Sequence, residues 1–193
     1  MDIVGILVVV LIIGLAWLLW DTYANGEVEY VKSSIDGKEY LVRSLPDKKE
    51  AANLLAQIVA GLQKLSKHLE ETHPEDERTI QLVKNLNVDA ISEGSENSSY
   101  TSYSVNKGEK VVFCLRSRDQ NNQLMDLNTM MFVAIHELAH ISTKTVGHDT
   151  TFWTNFKWLL ENAIQIGVYQ EQNFQKKPVE YCGIKITDSP LYH

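Results

Sequence analysis

"MMFVAIHELAHISTKTVGHDTTFW", residues 130–153, sets His136, Glu137 and His140 in an apolar run and follows them with His148. Residues four apart project from one face of a helix, a turn apart, so the imidazoles of His136 and His140 can reach a single ion. Zinc accepts imidazole nitrogen at about 2.0–2.1 Å and favours a tetrahedral set of ligands. Glu137 comes directly after the first histidine, so its carboxylate projects beside such a metal and is free to take a proton from water. His-Glu-x-x-His on a helix is a specific pattern for zinc-dependent peptide hydrolysis. Met130, Met131, Phe132, Val133, Ala134, Ile135, Leu138, Ala139 and Ile141 make the rest of the helix apolar and therefore buried. Buried polar groups left unsatisfied cost about 1–3 kcal/mol each. A metal would satisfy them. The alternative, histidines donating to backbone carbonyls and Glu137 facing solvent, fits a lone histidine better than three such groups together.

Further along, Gly147 suits the left-handed end of the helix, which lets the chain reverse and brings His148 back toward the metal. Asp149, Thr150 or Thr151 then caps a following helix that carries Phe152, Phe156, Leu159 and Leu160. His148 is the expected third ligand. Glu161, later on that helix, is the alternative, and Asp149 fits a capping or supporting role.

Outward from this stretch the chain reads as α+β. Residues 27–45 form two strands around Asp36-Gly37, a hairpin turn signal. Ser44, Pro46 and Asp47 open a long helix whose apolar stripe is Ala51, Leu55, Ile58, Leu62, Leu65 and Leu69. His68 lies beside that stripe, facing solvent. Thr72, Pro74 and Glu75 open a shorter helix carrying Ile80, Val83 and Leu86. "ISEGSENSSY", residues 91–100, is small and polar, hence a loop. A second hairpin turns at residues 106–108, and Val111, Phe113 and Leu115 alternate on one face of its second strand. Asp126 or Asn128 caps the metal helix.

The 193 residues suffice for one ordinary domain, here residues 27–193, and the net charge of −7 leaves no broad basic surface for a phosphate backbone. Nucleic acid is thereby excluded as a main partner. Residues 3–20, "IVGILVVVLIIGLAWLLW", carry no charge and would span roughly 27 Å as a helix, near the thickness of a bilayer's hydrocarbon core. A single-pass membrane anchor is expected there, with Trp17 and Trp20 at the interface. A signal peptide is the alternative, and "TYAN" at residues 22–25 would be its cleavage site. Against it, no Lys or Arg precedes the run. Lys32 and Lys38 follow the span, which tips the expected topology toward a cytoplasmic soluble part. Cys114 and Cys182 can pair or stay reduced, and the Asn97-Ser98-Ser99 sequon would matter in a secretory lumen.

The residues "HELAH", His148-Asp149 and Phe152-Trp153 resemble the zincin metallopeptidases of the WLM and SprT-like kind. With the N-terminal span and the tail "YCGIKITDSP", the arrangement is also similar to small predicted metallopeptidases of large DNA viruses infecting algae and protists. The resemblance implies a zincin fold, a small sheet packed on the metal helix, and a strand at about residues 109–116 lying along the cleft, where its edge could pair with an extended substrate backbone. It implies a membrane-anchored zinc endopeptidase acting on protein or peptide at a host or virion membrane, with zinc on His136, His140 and His148. Glu137 would be the general base. Tyr181 is a candidate oxyanion donor, its alternative being a packed tail tyrosine. The competing function is an anchored zinc-binding structural protein of a virion, without turnover; the retained Glu137, which a structural site does not need, favours the enzyme.

Overall fold

The computed structural model describes residues 3–24, 26–96, 100–119 and 121–193. The Asn97-Ser98-Ser99 sequon and Asn25 lie outside the described residues. Helix α1, Ile3–Ala24, has no polar face, and the side chains from Ile6 to Ile13 and from Trp17 to Trp20 are exposed. Among the described residues no helix is long and apolar enough to cross a membrane. The structure therefore lends the expected span over residues 3–20 no support.

Strands β1 (Val28–Lys32) and β2 (Glu39–Arg43) pair antiparallel, Val28 opposite Arg43. Gly37 takes φ 73° in the turn between them. Helix α2, Lys48–Thr72, follows, and its stripe of Ala51, Leu55, Ile58, Leu62, Leu65 and Leu69 is at most 1% exposed. Gly61 lets α2 approach closely: a β-carbon there would meet Met131 Cε at 2.9 Å. Asp47 stands at the N-cap but makes no capping bond. Its carboxylate instead accepts from Arg116 Nη1, at 2.7 and 2.6 Å. His68, expected in solvent, is half-buried, and its Nε2 has no hydrogen-bond partner among the described residues.

Helix α3, Glu77–Asn85, is capped by Asp76, whose side chain accepts from the Arg78 amide. The inward residues are Thr79 and Leu82, while Ile80 and Val83 are exposed, contrary to the sequence pattern. Arg78 stacks over the Trp158 ring at 3.7 Å. Leu82 lies one turn from Arg78 on the same docked side, and that contact overrides a periodicity only two turns long.

Residues expected as loop contain a strand. β3, Ile91–Glu93, is buried and runs parallel to β5, Lys110–Phe113, with Ile91 opposite Val111. Its polar composition hid it. The Glu93 carboxylate is buried because it accepts from Arg116 Nε at 2.7 Å and from the Arg43 amide at 2.7 Å. β4, Ser102–Val105, pairs antiparallel with β5, so the sheet order is β3-β5-β4. Val111, Val112 and Phe113 are all at most 4% exposed, so both faces of β5 are covered, not one. A central strand has both edges occupied. The expectation that residues 109–116 present an edge to the cleft is thus corrected: β4 is the outer strand on that side.

Helix α4, Leu127–Ser142, packs on α2 and α3, and helix α5, Thr150–Gln165, packs on α4. The tail adds the antiparallel hairpin of β6 (Val179–Tyr181) and β7 (Ile184–Ile186). Cys114 and Cys182 form a disulfide that fastens this hairpin to the end of β5. The fold is α+β with small sheets.

Candidate metal centre

Helix α4 forms because residues 127–142 contain neither Gly nor Pro and Asp126 caps them. Asp126 Oδ1 accepts from the Thr129 amide at 2.9 Å and Oδ2 from the Thr129 hydroxyl at 2.7 Å. The apolar residues from Met130 to Ile135 are buried against α2 and α5, which fixes the rotation of the helix. That rotation leaves His136 and His140 half-buried on one side, with ring centroids 4.9 Å apart.

α4 stops at Ser142, so Gly147 does not end the helix; it sits in the following loop with φ 93° and lets the chain turn back. Asp149 then caps α5 by accepting from the Phe152 amide at 2.9 Å, and Phe152 and Phe156 lock α5 under the histidines. His148 Nε2 comes to 3.1 Å from His140 Nε2 and 3.1 Å from His136 Nε2. Glu161 is exposed on α5 and is not one of this group, nor is Asp149.

Three imidazole Nε2 atoms facing one another cannot all be satisfied by hydrogen bonds. Each neutral ring presents at Nε2 either one N–H or one lone pair, so at least two of the three atoms are alike, and two lone pairs or two N–H groups are set against each other. A cation at the centre satisfies all three. Tetrahedral zinc–imidazole bonds of about 2.05 Å would put the nitrogens about 3.3 Å apart, close to what is observed. The protonation states agree. Burial, then the neighbouring imidazoles, lowers the pKa of His136 to about 3. Burial, then His148 and Lys107, lowers that of His140 to about 4. Both rings are neutral at pH 7, the form that ligates. The donor set fits zinc.

Glu137 is 4% exposed and lines the same cavity of about 700 Å³ as the histidines. Burial raises its carboxyl pKa to about 7, against hydrogen bonds from the hydroxyl and backbone of Ser104, which lower it. Tyr181 lines this cavity too. Its hydroxyl lies 2.5 Å from that of Ser102, and burial holds its pKa above the usual value, so the phenol keeps its proton. The structure therefore brings His136, Glu137, His140, His148 and Tyr181 to one cleft.

Three contributors escaped the sequence reading. Ser102 and Ser104 alternate along β4 and so share its cleft face; their spacing was the available signal. Lys107, in the β4–β5 turn, donates to the carbonyls of His140, Thr143 and Thr145. Burial lowers its pKa, with Asp149 opposing.

Residues 37–190 match the WLM domain. The chain belongs to the WLM domain family. That family is zinc metallopeptidase-like, in keeping with the histidine cluster. A relative that aligns with nearly the whole chain is the uncharacterized protein R325 of Acanthamoeba polyphaga mimivirus, 33% identical, with 98% of this chain and 97% of that protein covered. Uncharacterized protein 042R of invertebrate iridescent virus 3 is 35% identical over 43% of this chain and 50% of its own length. Among solved structures, Wss1 from Saccharomyces cerevisiae is similar in fold, with a TM-score of 0.51 and 23% identity over 65% of this chain and 86% of that one. This chain is thus similar in sequence to proteins of large DNA viruses and in fold to a yeast protein.

Proposed function

We propose that this WLM protein is a zinc-dependent endopeptidase anchored to a membrane through residues 3–20. The observation that carries the hydrolase reading is the convergence of three neutral imidazoles beside a buried carboxylate. His136, His140 and His148 would hold the ion, which leaves a fourth position open toward the cavity. Bound there, zinc supplies Lewis acidity toward the scissile carbonyl and toward a water. Glu137, whose pKa of about 7 suits both accepting and returning a proton, takes one from the attacking water and delivers it to the leaving amine. Tyr181, protonated and in the same cavity, donates to the oxyanion as it forms. The outer edge of β4 pairs with an extended substrate backbone, taking the part first assigned to residues 109–116.

The anchor rests on the uncharged run of residues 3–20 and on the exposed apolar side chains of α1. A contiguous apolar surface of that kind is costly in water. A chain lacking residues 3–20 should leave the membrane fraction for the soluble one. Retention of that shortened chain in membranes would overturn the anchor.

The hydrolase is tested on the full chain in detergent. One zinc per chain and cleavage of unfolded protein substrates are expected. A chelator should abolish cleavage, and Glu137→Gln should keep the zinc and lose about 10²–10⁴-fold in rate. Cleavage by Glu137→Gln at the parent rate would remove Glu137 as the base. Stoichiometric zinc with no turnover on any substrate would instead favour the structural reading.

A further inference from the structure

Two of the three histidines are placed by a helix, but His148 is placed by a loop, and the part of that loop next to it has little packing of its own. Val146 is 90% exposed, and nothing lies within 4 Å of where a β-carbon would sit on Gly147. Some contact outside the loop must therefore hold it.

The β4–β5 turn provides one. Asn106, Lys107 and Gly108 take φ 47°, 59° and 113°, three successive left-handed residues. At Gly108 a β-carbon would lie 2.6 Å from the Asn85 carbonyl oxygen and 3.1 Å from Ile141 Cδ1, so the turn is pressed between the end of α3 and the side of α4. A lysine rarely adopts this backbone conformation. Here it aims the ammonium over the C-terminal end of α4. Lys107 Nζ donates to the carbonyls of His140 at 3.2 Å, Thr143 at 2.5 Å and Thr145 at 2.5 Å. An ammonium has three N–H donors, and all three are used. His140 and Thr143 supply carbonyls that the ending helix leaves without partners, at the negative pole of its dipole. Thr145 lies beyond the helix, three residues before His148. A plain helix cap would need the first two acceptors and not the third.

We propose that Lys107 is a positioning residue of the metal centre, tying the loop of residues 143–147 to the end of α4 so that His148 Nε2 stays in register with His136 and His140. Lys107 has no lone pair to offer when charged, so it acts through the loop and not as a ligand. The inference rests on the reading that the three histidines hold a divalent cation.

The test uses the full chain in detergent, with cobalt(II) as the probe and a chromophoric chelator as competitor. Lys107→Met should weaken cobalt binding about 10–100-fold, the scale for residues that orient ligands, and lower the intensity of the visible cobalt bands. His148→Ala should weaken binding at least as much. The decisive variant is the double, Lys107→Met with His148→Ala, which should bind as His148→Ala alone does, within about 2-fold. Cobalt affinity of Lys107→Met equal to the parent's would overturn the inference. So would a double variant in which the two losses multiply, because Lys107 would then act on the helix and not through His148. Should Lys107→Met fail to fold, Lys107→Arg, which keeps the charge and stem, carries the same comparison with a smaller loss. A parent that binds no cobalt would sink the metal reading itself, a result distinct from parental binding that Lys107 substitutions leave untouched.

Discussion

The two walls of the cleft are built in different ways. The helical wall, α4 with the loop to His148 and the start of α5, comes from one continuous stretch, and its farthest histidine-to-histidine contact, His136 to His148, spans 12 residues. The strand wall joins β4 to the tail hairpin: Ser102 meets Tyr181 across 79 residues, and the Cys114–Cys182 disulfide closes a separation of 68. The helical wall gathers the groups that would hold a metal. The strand wall carries Ser102, Ser104 and Tyr181, which face whatever is bound. Apart from Lys107, which reaches from the β4–β5 turn to the loop before His148, ligation and substrate handling are thus separable, and perturbing each wall should have its own signature.

The largest effect should come from the helical wall. His136 lies at the middle of α4, its ring packed edge-on against Phe152 and Phe156. His136→Ala removes one of the three ligands from the middle of the helix, and hydrolysis should fall below detection together with zinc content. The fold should survive, because the apolar face of α4 buries without help from the histidines. Zinc analysis paired with a thermal melt checks this. A variant that kept both stoichiometric zinc and turnover would place the metal elsewhere.

Breaking the strand wall should cost stability and leave ligation intact. In the chain-entropy picture a loop of this length gives the disulfide about 4 kcal/mol. Replacing both cysteines by serine should lower unfolding stability by about that much. It frees the tail hairpin, so substrate turnover should fall while cobalt or zinc affinity stays within about 2-fold of the parent's. Equal losses in metal affinity and turnover would show that the two walls are one unit and that the separation above is wrong.

The same division explains what the sequence made legible. His136, Glu137 and His140 follow from a spacing that a helix converts directly into geometry, and Gly147 and Asp149 signal the return of His148. All of this is local. β3 was missed because Glu93, a charged residue in an apparent loop, is buried by Arg43 and Arg116, partners 50 and 23 residues away. The edge of the cleft was misassigned for a related reason. A strand reads the same in sequence whether it is central or outer, and the parallel pairing of β3 with β5 is what makes β5 central. The buried face of α3, Thr79 and Leu82, does not follow its apolar positions Ile80 and Val83, and Arg78 stacks on Trp158, far along the chain. Long-range partners set each of these features, and spacing cannot reveal them.

The finest distinction lies within the strand wall, at Tyr181. The tail residue is packed, as its 2% exposure shows, and it also lies in the cleft, near enough to Glu137 for that carboxylate's charge to act on the phenol. Packing and donation can be separated by Tyr181→Phe, which keeps the ring and deletes the hydroxyl. Loss of the bond to Ser102 should cost about 1 kcal/mol of stability. If the hydroxyl also donates to the oxyanion, kcat should fall about 10²-fold with KM and zinc affinity little changed, the pattern of a group that acts in the transition state. If kcat holds within a few-fold, Tyr181 serves the wall and not the reaction. The oxyanion would then rest on the metal and on donors along β4, with Ser102, released from its tyrosine partner, the first to examine.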